Sequence, residues 1–451
     1  MKESLKVGVS GVRGVVGESF TPQLAAAFAQ AFGTFVGRGP VVVGRDTRPS
    51  GPMLEHAVIA GLQSVGCTPV LLGIVPTPTL LLATKESSAR GGIAITASHN
   101  AAEWNALKFV DRKGLFLDEI RAGELFDIYH QGDFPLVPES ELPGATLMTD
   151  AFQRHAARIA GYVDAAAIRA RHCKVVVDCV NGVGALFTPA WLRDDFGCEV
   201  VALHDQPTGV FERGPEPVAE NLEKLCAAVR QHGAAVGFAH DPDGDRLAIV
   251  DERGQPIGED FTLALAAWQV LERHARGPLV MTVATSLCVA AVARAHGAEV
   301  IRTKIGEINV VEAMLKAGAP IGGEGTGGVI VPAIHPCRCS YAAMALVLEL
   351  LAQSGRTVAQ LRAELPEFHV VKTKLPIRGD EAPEKLRGLR RYFEERGARV
   401  TLLDGVHADF GDRWINVRRS NTEPVLRLTA EAATPAAAEG LLRTALSEIQ
   451  P

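Results

Sequence analysis

The stretch Gly91-Gly92-Ile93-Ala94-Ile95-Thr96-Ala97-Ser98-His99-Asn100 sets the reading of the whole chain. Ile93, Ala94 and Ile95 have the apolar character of a buried strand. They run straight into five small or polar residues that offer little to a core. A chain that leaves a sheet on an exposed hydroxyl presents a reactive atom on a loop held by a rigid scaffold. Ser98 is therefore the residue that the other chemistry-bearing segments are expected to face. A hydrolase reading, with His99 as the base for Ser98, has little support. Adjacent residues rarely align as such a pair, and the G-x-S-x-G elbow is absent.

Working outward, the upstream residues show strands alternating with helices. The chain starts with a Gly-rich turn, Val7-Gly8-Val9-Ser10-Gly11-Val12-Arg13-Gly14, that carries one arginine. Thr21-Pro22 reads as an N-cap followed by proline at the first helical position, and Leu24, Phe28, Phe32 and Phe35 fall on one helical stripe. A strand at 41–44 leads to Arg45-Asp46-Thr47-Arg48. Helix 52–65, strand 69–74 and helix 78–87 then return the chain to the strand before Ser98. Such alternation implies βαβ units and a mainly parallel sheet.

Downstream, a helix near 118–130 is followed by 132–143, a Pro-, Glu- and Ser-rich boundary. The pattern then restarts with helix 149–160, strand 174–178, turn 181–184, helix 185–194, strand 199–203, helix 217–232 and strands 234–239 and 247–250. A second boundary at 252–258 opens a third unit: helix 260–275, strand 279–284, helix 286–296, strand 299–302, helix 308–317, a Gly-rich segment at 322–328 and helix 341–353. Past Leu365-Pro366 come strand 368–375, helix 383–396, short strands at 399–404, 412–418 and 425–431, and helix 435–448. The expectation is three similar α/β domains with mixed, mainly parallel sheets at 1–145, 146–254 and 255–365, and a smaller α+β domain at 366–451.

Composition supports a globular enzyme. The 451 residues exceed one ordinary core, and the chain is 47% hydrophobic and 22% charged. A formal charge of −6 argues against broad nucleic-acid binding but leaves room for a local basic pocket. The N-terminus lacks an apolar signal region and no apolar run reaches spanning length, so a soluble, cytoplasmic protein without membrane partners is expected. Eight scattered cysteines, mostly in apolar runs, read as reduced buried thiols. Cys337-Arg338-Cys339 alone makes a poor metal site.

Three segments add chemistry to Ser98. Asp241, Asp243 and Asp245 alternate within five residues at a strand end, where their mutual repulsion calls for a divalent cation. All-oxygen ligation favours Mg²⁺ or Ca²⁺ over zinc. The spacing superficially matches an EF-hand loop, with Glu252 at its twelfth position, but Arg246 stands where that loop needs glycine and no helix follows. A lone D-x-D is as often a solvated acidic turn; the third Asp, Gly244 and Arg246 favour the metal site. Arg418-Arg419-Ser420-Asn421-Thr422-Glu423-Pro424 gathers the donors that a phosphate monoester attracts, although R-x-S-N alone reads as a polar hairpin. Glu324, the single acid of the Gly-rich 322–328 segment, is placed on a flexible loop where it can hold vicinal sugar hydroxyls; a plain connector is the alternative. Lys108, between apolar Leu107 and Phe109, is either a desolvated proton shuttle or a snorkelling surface lysine, and Arg13 is either an anion clamp or a surface charge.

Together these segments resemble the α-D-phosphohexomutase family, from about residue 5 to about residue 430. Four motifs stand in the family's order: Thr96-Ala97-Ser98-His99-Asn100, Asp241-x-Asp243-Gly244-Asp245-Arg246, Gly323-Glu324-Gly325-Thr326-Gly327 and Arg418-x-Ser420-Asn421-Thr422. The resemblance implies four domains around a central cleft and a phosphoryl group carried by Ser98. It implies one Mg²⁺ per chain held by Asp241, Asp243, Asp245 and that phosphoserine, and a bisphosphosugar that serves as intermediate and activator. By family position Arg13, His99, Lys108 and Arg246 belong to the reacting end, with Lys108 the proton shuttle. Glu324 and Thr326 would grip sugar hydroxyls, and Arg418, Ser420, Asn421 and Thr422 the non-reacting phosphate. A phosphohexose substrate follows, handled by a monomer or homodimer.

Some positions depart from the family pattern. Ala101-Ala102 replaces the proline that usually follows Ser-His-Asn, Gly328 stands where histidine is frequent, Arg338-Cys339 replaces an Arg-Asp pair, and Ser10 replaces an Asp. The change at Gly328 puts more of the proton transfer on Lys108. Lys304-Ile305-Gly306-Glu307-Ile308-Asn309-Val310, with 323–328, is most similar to the archaeal-type phosphoglucosamine mutase and phosphomannomutase branch. Glucosamine phosphate is the preferred expectation, since Glu324 can pair with an ammonium; mannose or glucose phosphate is the alternative. A metal-dependent sugar phosphatase and a non-catalytic sugar-phosphate binding protein are the readings of another class; a phosphatase has no need for a second phosphate clamp.

Overall fold

The computed structural model describes residues 4–9, 11–377, 381–420 and 425–449, which form four sheets covered by helices. In the first sheet the strands lie in the order Lys6–Gly8, Gly11–Val15, Trp104–Asp111, Gly91–Ile95, Pro40–Arg45, Thr68–Ile74 and Thr146–Leu147. From Gly91–Ile95 to Thr146–Leu147 the pairing is parallel; on the other side it is antiparallel. The second sheet runs Leu247–Val250, Val236–His240, Lys174–Asp178, Glu199–Leu203, with its first pair antiparallel. The third runs Val300–Thr303, Leu279–Thr282, Ile321–Glu324, Gly328–Val331, His335–Arg338, parallel at first and then antiparallel. The fourth, His369–Pro376, Val425–Ala432, Trp414–Arg419, Val406–Asp409, Arg399–Thr401, is antiparallel throughout. Three mixed α/β units and a smaller α+β unit thus match the expected fold class.

Local sequence accounts for much of this. Helix Pro22–Val36 starts where Thr21 Oγ1 accepts the Leu24 N–H at 3.2 Å, and Pro22 needs no donor at the first position. Phe28 and Phe32 are buried, Leu24 and Phe35 partly so, and Phe28 stacks on Tyr129 with centroids 3.8 Å apart. The second and third units share one core, in which Phe152, Trp191, Phe238, Leu265 and Tyr341 belong to a single buried cluster. All eight cysteines are buried and unpaired.

Several elements differ from expectation. The Gly-rich start is a hairpin, Lys6–Gly8 with Gly11–Val15, not a bare turn. The Gly-rich 322–328 segment is also a hairpin, Ile321–Glu324 with Gly328–Val331, so Glu324 lies at a strand end and not on a flexible loop. Glycine is depleted in strands, and here it marks close approach: a Cβ at Gly323 would strike the Gly328 carbonyl. Helix 217–232 is split into a short 3₁₀ turn, Ala219–Asn221, and helix Glu223–His232. Helix 260–275 keeps α geometry over Glu259–Gln269 and ends in a π turn, Val270–His274. Strand Thr146–Leu147 joins the first sheet just past the 145/146 division.

Three of the four units deliver a strand end to one connected cluster, linked by Ser98 with Asp241 and by Arg338 with Asp245 and Glu324; the fourth unit's strand end lies apart. Gly91–Ile95 ends at the Ser98 loop, Val236–His240 at Asp241, Ile321–Glu324 at Glu324, and Trp414–Arg419 at Ser420. Ligand groups in open α/β sheets collect at the carboxyl ends of strands, where backbone donors and side chains leave the ladder.

Candidate active site

Ser98 is buried, at 6% exposure, in a left-handed backbone conformation with φ 49°. Its N–H donates to Thr96 Oγ1 at 3.0 Å, and its Oγ–H donates to Asp241 Oδ2 at 2.9 Å. His99 Nδ1 lies 3.4 Å from Ser98 Oγ. Burial, with Arg246 and Arg338 nearby, pushes the His99 imidazole down to about 3, so its ring is neutral and weakly basic. Lys108, on strand Trp104–Asp111 opposite Ala94, places Nζ 3.0 Å from Asp243 Oδ2. Its ammonium therefore turns into the site, not out to solvent. Arg13 Nη1 donates to Asn100 Oδ1 at 2.9 Å, and burial followed by the charge of Arg246 lowers its pKa from the usual value. Two guanidinium groups that repel one another suit an anion.

The ligand oxygens of Asp241, Asp243 and Asp245 lie within 4.8 Å of one another, and all three residues are buried. Asp241 Oδ1 accepts the N–H groups of Asp245 and Arg246 at 3.0 and 3.1 Å. Asp243 Oδ2 accepts from Thr77 Oγ1 at 2.8 Å and from Lys108. Asp245 Oδ2 accepts from Arg338 Nη2. Asp243 Oδ1 and Asp245 Oδ1 are buried without a hydrogen-bond partner. Orphaned buried carboxylate oxygens are costly unless something cationic meets them. Burial, and then the charges of Asp245 and Asp243, hold the Asp241 carboxyl well above the ordinary range. Burial alone would raise Asp243 too, but Lys108 and the bonds from Asp241 and Thr77 hold it below. Two spare anionic oxygens beside Asp241 fit a hard divalent cation.

Arg338 ties this triplet to the hairpin. Its Nη1 donates to Glu324 Oε2 at 2.7 Å, its Nε to Glu307 Oε2 at 3.1 Å and its Nη2 to Asp245. Glu324 Oε1 accepts the Gly306 N–H at 3.0 Å, so both of its oxygens are engaged and its carboxylate is fixed. Burial raises the Glu307 carboxyl to about 7. Thr326 lies half-buried in the turn between the hairpin strands. Cys339, at the departed Asp position, caps helix Ser340–Ser354, its Sγ accepting the Ala342 N–H at 3.3 Å.

Arg418 and Ser420 stand on the fourth sheet, apart from Ser98. Arg418 Nε lies 3.9 Å from Asp404 Oδ2, which accepts the Ile305 N–H at 3.2 Å, next to the Gly306 N–H that holds Glu324. The Ser420 N–H donates to Val425 O at 2.9 Å. Asn421, Thr422 and Ser10 lie outside the described residues. Arg246 pairs with Glu216 at 2.9 Å, and its Nε is buried without a hydrogen bond. Ser98, His99, Lys108 and the three aspartates therefore cluster directly, while Glu324 joins them through Arg338. Sequence reading missed Thr77, Glu307 and the linking role of Arg338. Only the departure at 338–339 and the 304–310 segment that contains Glu307 pointed there.

Comparison with known proteins agrees with the geometry. The four successive family descriptions "Phosphoglucomutase/phosphomannomutase, alpha/beta/alpha domain" I, II and III and "C-terminal domain" match residues 4–135, 151–254, 258–368 and 371–447. A Thermococcus kodakarensis protein named "Phosphoglucomutase/phosphomannomutase" is 39% identical over 431 residues, covering 94% of each chain. A Methanopyrus kandleri protein named "Probable phosphoglucosamine mutase" is 38% identical over 426 residues, covering 94% of this chain and 93% of the relative. The crystal structure of a phosphoglucomutase/phosphomannomutase family protein from Burkholderia thailandensis superposes with a TM-score of 0.85 at 30% identity, covering 99% of both chains. Among the described residues, no helix is long and apolar enough to cross a membrane. With every unit matched in order and a triplet of aspartates facing a serine, the chain belongs to the phosphoglucomutase/phosphomannomutase family of α-D-phosphohexomutases and is an isomerase.

Proposed function

We propose that the protein moves a phosphoryl group between O6 and O1 of a hexose phosphate through phosphoserine 98 and a bisphosphosugar, with glucosamine 6-phosphate and glucosamine 1-phosphate as the preferred pair. One observation carries this reading: Ser98 Oγ lies 2.9 Å from Asp241 Oδ2, beside two buried carboxylate oxygens, Asp243 Oδ1 and Asp245 Oδ1, that make no hydrogen bond.

In the proposed cycle a sugar hydroxyl oxygen attacks the phosphorus carried by Ser98. The new O–P bond forms as the P–Oγ bond breaks, and the hydroxyl proton leaves to a base, for which Lys108 is the candidate once neutral. Oγ, protonated as it leaves phosphorus, then attacks the other phosphate of the bisphosphosugar: a new P–Oγ bond forms as the P–O bond to the sugar breaks, and the proton given up by Oγ goes to the freed sugar oxygen. Asp241, Asp243, Asp245 and the phosphoserine would hold Mg²⁺, which when bound neutralises phosphoryl charge. Arg13 and Arg246 add positive charge beside the reacting group, and His99 packs against Ser98 as a neutral neighbour. Phosphoryl transfer needs mainly such positioning and charge neutralisation. Glu324, with both oxygens anchored, keeps spare lone pairs for sugar hydroxyls, and Thr326 adds a hydroxyl. Arg418, Ser420, Asn421 and Thr422 would hold the non-reacting phosphate, so that remote binding energy orients either end of the substrate.

The name of the Methanopyrus relative and an anionic Glu324 facing an ammonium support glucosamine phosphate. The Thermococcus name supports mannose or glucose phosphate as the second reading. Turnover of glucosamine, mannose and glucose 6-phosphates is measured side by side with a bisphosphate activator. The highest kcat/KM is expected for glucosamine 6-phosphate; the lowest of the three would overturn that choice.

A further inference from the structure

We infer that Asp46, Arg48 and Thr96 form a positioning device that fixes the Ser98 backbone and thereby aims its Oγ, an inference that rests on the phosphoserine reading. The Arg45-Asp46-Thr47-Arg48 segment follows strand Pro40–Arg45, which lies beside the strand that ends at Ser98. Arg48 is fully buried, with no exposed side-chain surface. Its Nη2 donates to the carbonyls of Ser98 and Asn100, both at 2.7 Å, and its Nη1 to the carbonyl of Ala101 at 2.6 Å. Three carbonyls of the turn 98–101, which belong to no strand, are thus satisfied by one planar fork.

The other edge of the fork closes the circuit. Arg48 Nε donates to Asp46 Oδ2 at 3.0 Å, and the Arg48 N–H to Asp46 Oδ1 at 2.9 Å. Asp46 Oδ2 also accepts from Thr96 Oγ1 at 2.7 Å, and Thr96 Oγ1 in turn accepts the Ser98 N–H. The N–H and the carbonyl of Ser98 are therefore both held by groups that converge on Asp46. That matters because Ser98 sits at φ 49°, where an L-residue stays only if its surroundings hold it. Ala101-Ala102 contributes no ring rigidity to this turn, so the clamp is side-chain-borne. The second unit seals it: the Phe211 ring lies 5.0 Å from the Arg48 guanidinium, and Gly209 is so close that a Cβ there would strike the Thr47 carbonyl. Asn100, whose carbonyl Arg48 holds, also carries the acceptor for Arg13. None of the three residues touches the reacting atoms, and they act through Ser98.

The test compares wild type with Thr96→Val, Thr96→Ser and Arg48→Lys, by steady-state kinetics, thermal melting, and the rate at which intact mass spectrometry finds phosphate on Ser98 after mixing with a hexose bisphosphate. Thr96→Val keeps shape but cannot bridge Ser98 to Asp46. It should lower kcat and the phosphorylation rate by about 100-fold, the scale of a 1 Å misplacement, with KM within about twofold and the melting temperature near wild type. Thr96→Ser should restore most of both rates, and Arg48→Lys, whose ammonium cannot span three carbonyls, should behave like Thr96→Val. A wild-type rate in Thr96→Val, a change in KM alone, or a Thr96→Ser as slow as the valine variant would overturn the positioning role while leaving phosphoserine intact. Wild-type protein that takes no phosphoryl at Ser98 would instead remove the reading on which this one rests.

Discussion

Three side chains around Ser98 differ in what their surroundings let them do. His99 is adjacent to the serine and 3.4 Å from its Oγ, yet burial and two neighbouring guanidinium groups keep it neutral down to about pH 3. A ring that resists protonation so strongly is a poor acceptor for a hydroxyl proton at neutral pH. Lys108 reaches the same region from the adjacent strand and lies on Asp243 of the aspartate triplet. Lys108→Met keeps the stem and removes the ammonium, so kcat should fall by about 100-fold or more, whereas His99→Gln should lose about tenfold or less. Steady-state kinetics of the two purified variants decides this. Equal losses, or a larger loss for His99→Gln, would return the proton-transfer role to the histidine.

At the scale of elements, the hairpin Ile321–Glu324 and Gly328–Val331 is joined to the loop of the three aspartates by one side chain. Arg338, on the next strand, holds carboxylates from the hairpin, from the start of helix Glu307–Ala317 and from the aspartate triplet. Buried carboxylates that lose a counter-charge are strongly destabilising, at about 3–5 kcal/mol for a broken buried pair. Arg338→Met should therefore lower the urea-derived unfolding free energy by about 3 kcal/mol. It should also raise KM by releasing Glu324; unchanged stability and KM would show that the three contacts are dispensable. This link was illegible in the sequence because its partners come from positions 245, 307, 324 and 338, and nothing in the sequence says which of these separate segments meet. By contrast Ser98 and the three aspartates were legible, because each group is contiguous and sits where an apolar strand gives way to polar residues. The hairpin was misread for a local reason: five glycines in seven residues signal a loop by propensity, and only tertiary packing makes Gly322, Gly323 and Gly328 strand residues.

On the scale of the whole molecule, the four units are held together by buried polar groups as well as by apolar core. His155, on helix Ala151–Ala160, meets Thr79 Oγ1 of the first unit at 2.9 Å and Cys339 Sγ of the third at 3.6 Å. Burial, with His335 and Arg158 nearby, pushes its imidazole down to about 3. The unfolded chain therefore binds a proton at this ring below about pH 6.5 that the folded chain refuses until about pH 3, so stability is lost as pH falls through that window. His155→Gln abolishes this proton uptake. Between pH 7 and pH 5 the variant should lose about 2 kcal/mol less unfolding free energy than wild type in urea titrations, and parallel losses would contradict the neutral assignment. The alternation of strands and helices made the units legible, and the amphipathic stripe of Leu24, Phe28, Phe32 and Phe35 placed one of their helices. How they meet was not, because contacts such as Ser98 with Asp241 span 143 residues. The central claim is that this contact serves phosphoryl transfer through Ser98, and intact mass spectrometry after incubation with a hexose bisphosphate tests it most directly. One phosphoryl group on wild-type protein, mapped to Ser98 and absent from an inactive Ser98→Ala variant, is the predicted result. An unmodified wild type, or a Ser98→Ala variant that still isomerises the sugar phosphate, would contradict it.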